Sequence, residues 1–309
     1  LDIVRNWAVS GIDGFLFEHA DLLPSGWWLK VREAALSGSG KDDFLLAGSC
    51  HGSGDYVNQL FQGGKFTMAE SLNHATELAL AFAGERPEGI SVGLGNWEAA
   101  IPRGGAFLRP TANQEMPRLA SIHNDTMRSR AALGFLLTGG GVPMIQWGDE
   151  LDLRSPDPPV DRDPSLMDWS VVSNKQADAE STFNLVRNLG FLRRTWPELR
   201  RDLDGGRPVL RWMTEREFGY SAWVRQSVPN RFFLGIMLLN RGRKEASPEF
   251  VLPIPTTPDG HYRGRDILMP SMQTVVARVK DGKLTDITLP VKPERGFQLW
   301  LFERLTTSE

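Results

Sequence analysis

Short apolar runs with strand character alternate with longer amphipathic stretches from Leu1 to about Val209. Repeated strand-helix units around a parallel sheet produce that alternation. Apolar residues at three- and four-residue spacings predict helices over Leu1–Val9, Trp27–Leu36, Tyr56–Gln62, Leu72–Ala83, Met127–Thr138 and Phe183–Arg194. Strands are predicted between them at Ile12–Phe17, Phe44–Ala47, Arg118–Ile122 and Val142–Trp147. The glycine-containing stretches at 38–43 and 139–141 are expected to end helices just ahead of strands, as left-handed glycine caps do.

Past Pro208 the texture changes. Val209–Met213, Tyr220–Val224, Phe232–Leu239, Phe250–Leu252, Thr274–Val279 and Gly296–Phe302 are short β-rich segments without helical period. Turn residues at Asn240-Arg241-Gly242, Pro258-Asp259-Gly260 and Lys280-Asp281-Gly282-Lys283 suit an antiparallel β-sandwich. The change falls near Leu203–Pro208, so the predicted organisation is an α/β unit over residues 1–205 and an all-β domain over 206–309.

A length of 309 residues accommodates about two domains. Lys+Arg 35 against Asp+Glu 38 leaves a net charge of −3, which gives no reason to expect nucleic acid as a partner. A single cysteine, Cys50, excludes an intrachain disulfide. His19, His51, His74, His123 and His261 lack metal-ligand spacing, so no metal and no cofactor are expected. No apolar run approaches the ~20 residues that cross a bilayer as a helix.

In a parallel barrel the side chains that do chemistry project from the carboxyl ends of the strands. The ends legible here are Glu18-His19, Ser49-Cys50-His51, His123-Asn124-Asp125 and Gly148-Asp149-Glu150. Gly11-Ile12-Asp13-Gly14-Phe15 resembles the fourth barrel strand of the alpha-amylase family of glycoside hydrolases. Leu45-Leu46-Ala47-Gly48 resembles its fifth, Ile122 to Arg128 its seventh and Gly141 to Glu150 its eighth, with Asp163 to Trp169 resembling the segment beyond. The resemblance implies a (β/α)8 TIM-type barrel, of which strands four to eight are present, followed by the β-sandwich.

It also implies where a retaining mechanism would place its carboxylates, a nucleophile and a protonated acid about 5 Å apart. The nucleophile position is Glu18, where the family has Asp, and the arginine two residues earlier is Leu16. The acid position is Ser49, whose alcohol has no proton to give at neutral pH. The third carboxylate is Asp125, behind an inverted His123-Asn124 pair. A silent site follows, with Glu18, Ser49 and Asp125 as vestigial positions.

Phe44 to Ser49 and Pro143 to Glu150 are also similar to the non-catalytic branch of that family, the heavy chains of heteromeric amino-acid transporters of the 4F2 type. That resemblance implies an extracellular domain at the cell membrane. Its partner would be a multi-spanning amino-acid transporter light chain, and its anchor a membrane segment upstream of Leu1. Asn124-Asp125-Thr126 is a sequon, which makes Asn124 a possible glycosylation site. The alternative is a divergent retaining α-glucosidase that acts through Glu18 and Asp125, with His51, Asp55 or another loop acid standing in for Ser49. A third reading is a carbohydrate-binding protein on the same scaffold.

Overall fold

The computed structural model describes residues 1–51, 54–71, 105–110, 116–139, 141–155, 166–167, 169–199, 220–238, 252–254, 257–268, 274–290 and 296–306. Two sheets organise them. Strands β1 (Gly14–Phe17), β2 (Leu45–Cys50), β3 (Met68–Ser71), β4 (Ala106–Pro110) and β5 (Val142–Met144) form a parallel sheet in sequence order. Helices α1 (Asp2–Val9), α2 (Ser25–Ser39) and α3 (Gly54–Phe61) accompany the first strands, and α4 (Leu119–His123) and α5 (Thr126–Thr138) lie between β4 and β5. Helices α6 (Val172–Ala177) and α7 (Thr182–Thr195) follow.

Helices α1, α2, α3, α5 and α7 stand where apolar periodicity predicts them, and their caps are local chemistry. Gly40 ends α2 in the left-handed region at φ +65 and donates its N–H to the Leu36 carbonyl. At the later joint the left-handed residue is Gly141, φ +72, while Gly139 stays right-handed at φ −78. Ser181 caps α7 by accepting from the Asn184 N–H at 3.2 Å.

One face of the first strands packs on the helices. Phe15, Phe17, Phe44, Leu46, Phe66 and Phe107 share a core with Trp28, Val31 and Ala35 of α2. The Phe17 ring lies 5.0 Å from that of Trp28. Each fully buried Phe or Leu of this kind contributes about 1.5–3 kcal/mol.

Arg118–Ile122, expected as a strand, begins a helix instead: α4 starts after Arg118. A four-residue apolar run is compatible with either state, and tertiary bonds decide it. Arg118 donates its backbone N–H to Ser155 Oγ at 2.7 Å, its guanidinium to the Trp147 carbonyl, and lies 4.2 Å over the Trp147 ring. Two strands unexpected from the sequence, β3 and β4, take the places between β2 and β5. Both carry polar residues, Glu70 and Arg109, that disguise them; Arg109 is 3% exposed and donates to the Gly139 carbonyl at 3.4 Å.

The expected sandwich is one seven-stranded antiparallel sheet. Its strands are β6 (Tyr220–Val228), β7 (Arg231–Leu238), β8 (Leu252–Pro253), β9 (Gly260–Asp266), β10 (Thr274–Lys280), β11 (Lys283–Thr285) and β12 (Phe297–Arg304), in the order β6-β7-β12-β9-β10-β11-β8. Phe232, Leu234, Ile236, Tyr262, Trp300 and Phe302 face a core internal to this sheet. The intervening Phe233, Phe297, Leu299 and Leu301 pack on Leu133, Leu136 and Leu137 of α5 and on Leu185 and Leu189 of α7. Burial on both faces explains why β7 and β12 read as continuous apolar runs.

The predicted helix Leu72–Ala83, the strand Val209–Met213, most of the segment Asp163 to Trp169 and the boundary near 205 lie outside the described residues. No described helix is long and apolar enough to cross a membrane.

Candidate active site

Successive side chains of a strand point to opposite faces of a sheet. Phe15, Phe17, Leu46, Ala69 and Phe107 belong to the helix-facing core, so Leu16, Ala47, Ser49, Met68, Glu70 and Leu108 face the interior of the barrel sheet. Leu16 is 47% and Leu45 38% exposed on that face.

Register brings two of these positions level with each other and with the end of β1. Phe17 pairs with Gly48, and Ser49 pairs with Glu70. Glu18, the next residue after Phe17, is therefore abreast of Ser49, which is abreast of Glu70. Ser49 and Glu70 are each 3% exposed, whereas Glu18 is exposed.

Beside this row the His19 and His51 rings stack at 5.2 Å, 19° from parallel. His19 holds φ +53, a left-handed conformation that costs a non-glycine residue about 1 kcal/mol and recurs at functional sites. It turns the chain from the end of β1 into the short helical turn Ala20–Leu22. At the other end of β1, Asp13 bonds Lys41 at 2.6 Å, and that hydrogen bond and charge hold its carboxyl below the ordinary carboxylate value.

Asp125 does not stand at a strand end. It is the N-cap of α5, its carboxylate accepting from the Met127 N–H at 2.8 Å, one helix removed from β4. β4 runs into residues 111–115, outside the described residues; Glu115 is the carboxylate of that stretch. Asn124 is exposed in the α4–α5 joint at φ +47, and its amide oxygen accepts from Arg154 at 2.8 Å. The sequon therefore sits between two helices, away from the strand end expected for it.

The side chain of Asp55 lies outside the described residues. Asp149 and Glu150 form a short helical turn, with the Glu150 carboxylate accepting from the Gly148 N–H at 3.0 Å. Arg193 donates to the carbonyls of Leu137, Leu199 and Gly141 and ties α7 to the loop before β5. Among the described residues no group of three or more His, Cys, Asp or Glu gathers as a metal site.

Glu70 is the residue that reading along the sequence passed over. Its signal was an acid inside Phe66-Thr67-Met68-Ala69-Glu70-Ser71, a run too short and too polar to register as a strand.

Five parallel strands flanked by helices, joined through α5 and α7 to a curled antiparallel sheet, make this the fold of the alpha-amylase-family glycoside hydrolases. The chain is 22% identical over 311 aligned residues to neopullulanase 2 of Thermoactinomyces vulgaris, covering 97% of this chain and 47% of that protein. The alpha-amylase of Geobacillus thermoleovorans, solved with acarbose, superposes with a TM-score of 0.77 at 16% identity over 99% of this chain and 63% of its own. The cyclomaltodextrin glucanotransferase CldA gives 0.77 at 20% identity, over 98% of this chain and 59% of its own. No protein-family model matches the chain. It thus spans about half the length of its curated relative and about three fifths of these two solved chains.

These matches correct the expectation of a silent transporter heavy chain. The proteins similar along nearly the whole length are a neopullulanase, amylases and a glucanotransferase. The light-chain partner and the cell-membrane location rested on the transporter resemblance alone and have no other support. The silent-site expectation weighed Ser49 alone, without Glu70, which strand register sets beside it.

Proposed function

We propose that this protein is a divergent retaining glycoside hydrolase of the alpha-amylase type, acting on α-glucosidic bonds. The observation that carries the reading is Glu18 at the carboxyl end of β1, exposed and level with Ser49 and Glu70 of the interior face. Strand ends are where barrels of this kind hold reacting groups. Similarity to enzymes named for amylase, neopullulanase and glucanotransferase activities supports the substrate class.

In this reading the Glu18 carboxylate attacks the anomeric carbon as the glycosidic C–O bond breaks. The departing oxygen takes a proton from an acid, and water later releases the sugar from Glu18. Ser49 contributes a hydroxyl able to bond a sugar oxygen, and it does not serve as the acid.

The test is hydrolysis of maltooligosaccharides and p-nitrophenyl α-glucoside by the full-length protein. Turnover is expected in the wild type, with a loss on the order of 10³-fold or more in Glu18→Gln, as for removal of a covalent nucleophile. A wild type inert toward both substrates overturns the proposal.

A further inference from the structure

We infer that Glu70 is the general acid of this site, the proton donor having moved one strand along the barrel from the position that Ser49 occupies. The inference rests on the glycosidase reading above and deepens it. Three observations meet at Glu70. It lies on β3, beside β2 and two strands from β1, in direct register with Ser49. Alternation sends it to the same interior face as Ser49, because Ala69, its neighbour, belongs to the helix-facing core. It is also 3% exposed, in contrast to the exposed Glu18.

Two carboxyl groups on one row, one open to water and one enclosed, are the arrangement that separates a nucleophile from an acid. An acid catalyst must hold its proton until the leaving oxygen needs it.

Ser49 has a part in this geometry. Strands are spaced ~4.8 Å apart, so an acid on β3 starts about one strand spacing farther from Glu18 than an acid on β2 would. Serine takes up less of the interior row between the two acids than a glutamate at 49 would. Substitution at the ordinary acid position and a glutamate on the adjacent strand are therefore two halves of one change.

The chemistry balances without any further reagent. As Glu18 bonds to the anomeric carbon and the C–O bond breaks, the Glu70 proton passes to the departing sugar oxygen. In the second half the Glu70 carboxylate takes a proton from water as that water attacks the anomeric carbon, and Glu18 leaves as carboxylate.

The test compares two substrates in full-length wild type and Glu70→Gln. A maltooligosaccharide has a sugar alcohol as leaving group and needs the proton; α-glucosyl fluoride does not. Loss of an acid is worth roughly 10²–10⁴-fold, so Glu70→Gln is expected to lower kcat/KM by that factor on the maltooligosaccharide and by no more than about threefold on the fluoride, because kcat/KM reports only the steps up to glycosylation, while kcat on the fluoride falls as deglycosylation loses its base. The alkaline fall of kcat/KM on the maltooligosaccharide is expected to disappear with it. Retained fluoride turnover also shows that the variant is folded. Equal losses on the two substrates, no loss on either, or an unchanged alkaline limb would overturn the assignment while leaving a working glycosidase. A wild type inert toward both compounds removes the glycosidase reading and this assignment together.

Discussion

Gly134 of α5 lies against the ring of Phe297 at the start of β12: a Cβ on Gly134 would come within 2.2 Å of that ring. The contact sits inside the core shared by α5, α7 and the antiparallel sheet. Alanine is the better helix former by about 1 kcal/mol, but here overpacking outweighs propensity. Gly134→Ala is expected to lower stability by about 1–3 kcal/mol, read as a lower denaturant midpoint at unchanged slope. A variant as stable as the parent would show that the sheet does not approach the helix this closely.

Asp125 separates a cap from a catalytic acid. Asp125→Ala is expected to cost about 1 kcal/mol of stability, and Asp125→Ser, which retains a capping oxygen, a few tenths. Hydrolysis at a temperature where both variants are folded should match the wild type. A drop of 10²-fold or more in Asp125→Ser would return this carboxylate to the chemistry.

Glu198, with its side chain 3% exposed, pairs with Arg231, whose guanidinium also lies 4.5 Å over the Trp196 ring. Arg231→Met leaves a buried carboxylate without its cation, and about 3 kcal/mol of destabilisation is expected. The double variant Arg231→Met with Glu198→Leu should recover most of it, because the pair's desolvation cost disappears with the pair. Equal losses in the single and double variants would contradict this.

Tyr262 is fully buried and donates its hydroxyl to the Pro258 carbonyl at 2.8 Å. Burial, the largest cause, raises its pKa above the ordinary 10.0; Arg304 opposes this and Asp259 adds to it. With the native pKa raised, the stabilisation is fully present below the unfolded value and is lost as pH rises through the native one. Tyr262→Phe should cost about 1 kcal/mol at neutral pH from the lost hydrogen bond, and should show a shallower loss of stability in strong alkali. Parallel pH profiles for the two proteins would place the alkaline sensitivity elsewhere.

Stereochemistry tests the role of Glu18. A covalent sugar on Glu18 requires two inversions, so the first-formed product from an α-linked substrate should be the α-anomer, observable by proton NMR before mutarotation. A β-anomer would mean that water, not Glu18, attacks the anomeric carbon.

Local chemistry was enough to place most of the helices. Period alone marks α1, α2, α3, α5 and α7, and the alternating α/β texture names a parallel sheet before any contact is known. The place of Glu18 just past a strand was legible too, because the Gly14–Phe17 strand and its end lie within a few consecutive residues. Arg118–Ile122 was not legible: its state depends on bonds to Ser155 and Trp147, some thirty residues away. Glu70 was hidden for the same reason. A four-residue strand with an acid in it has no period of its own, and only hydrogen bonding to β2 on one side and β4 on the other makes it a strand. Residue types along the chain therefore determined most of the helices and the class of fold. Packing alone decided that a carboxyl stands beside Ser49, because strand register is set by contacts between residues far apart in the chain.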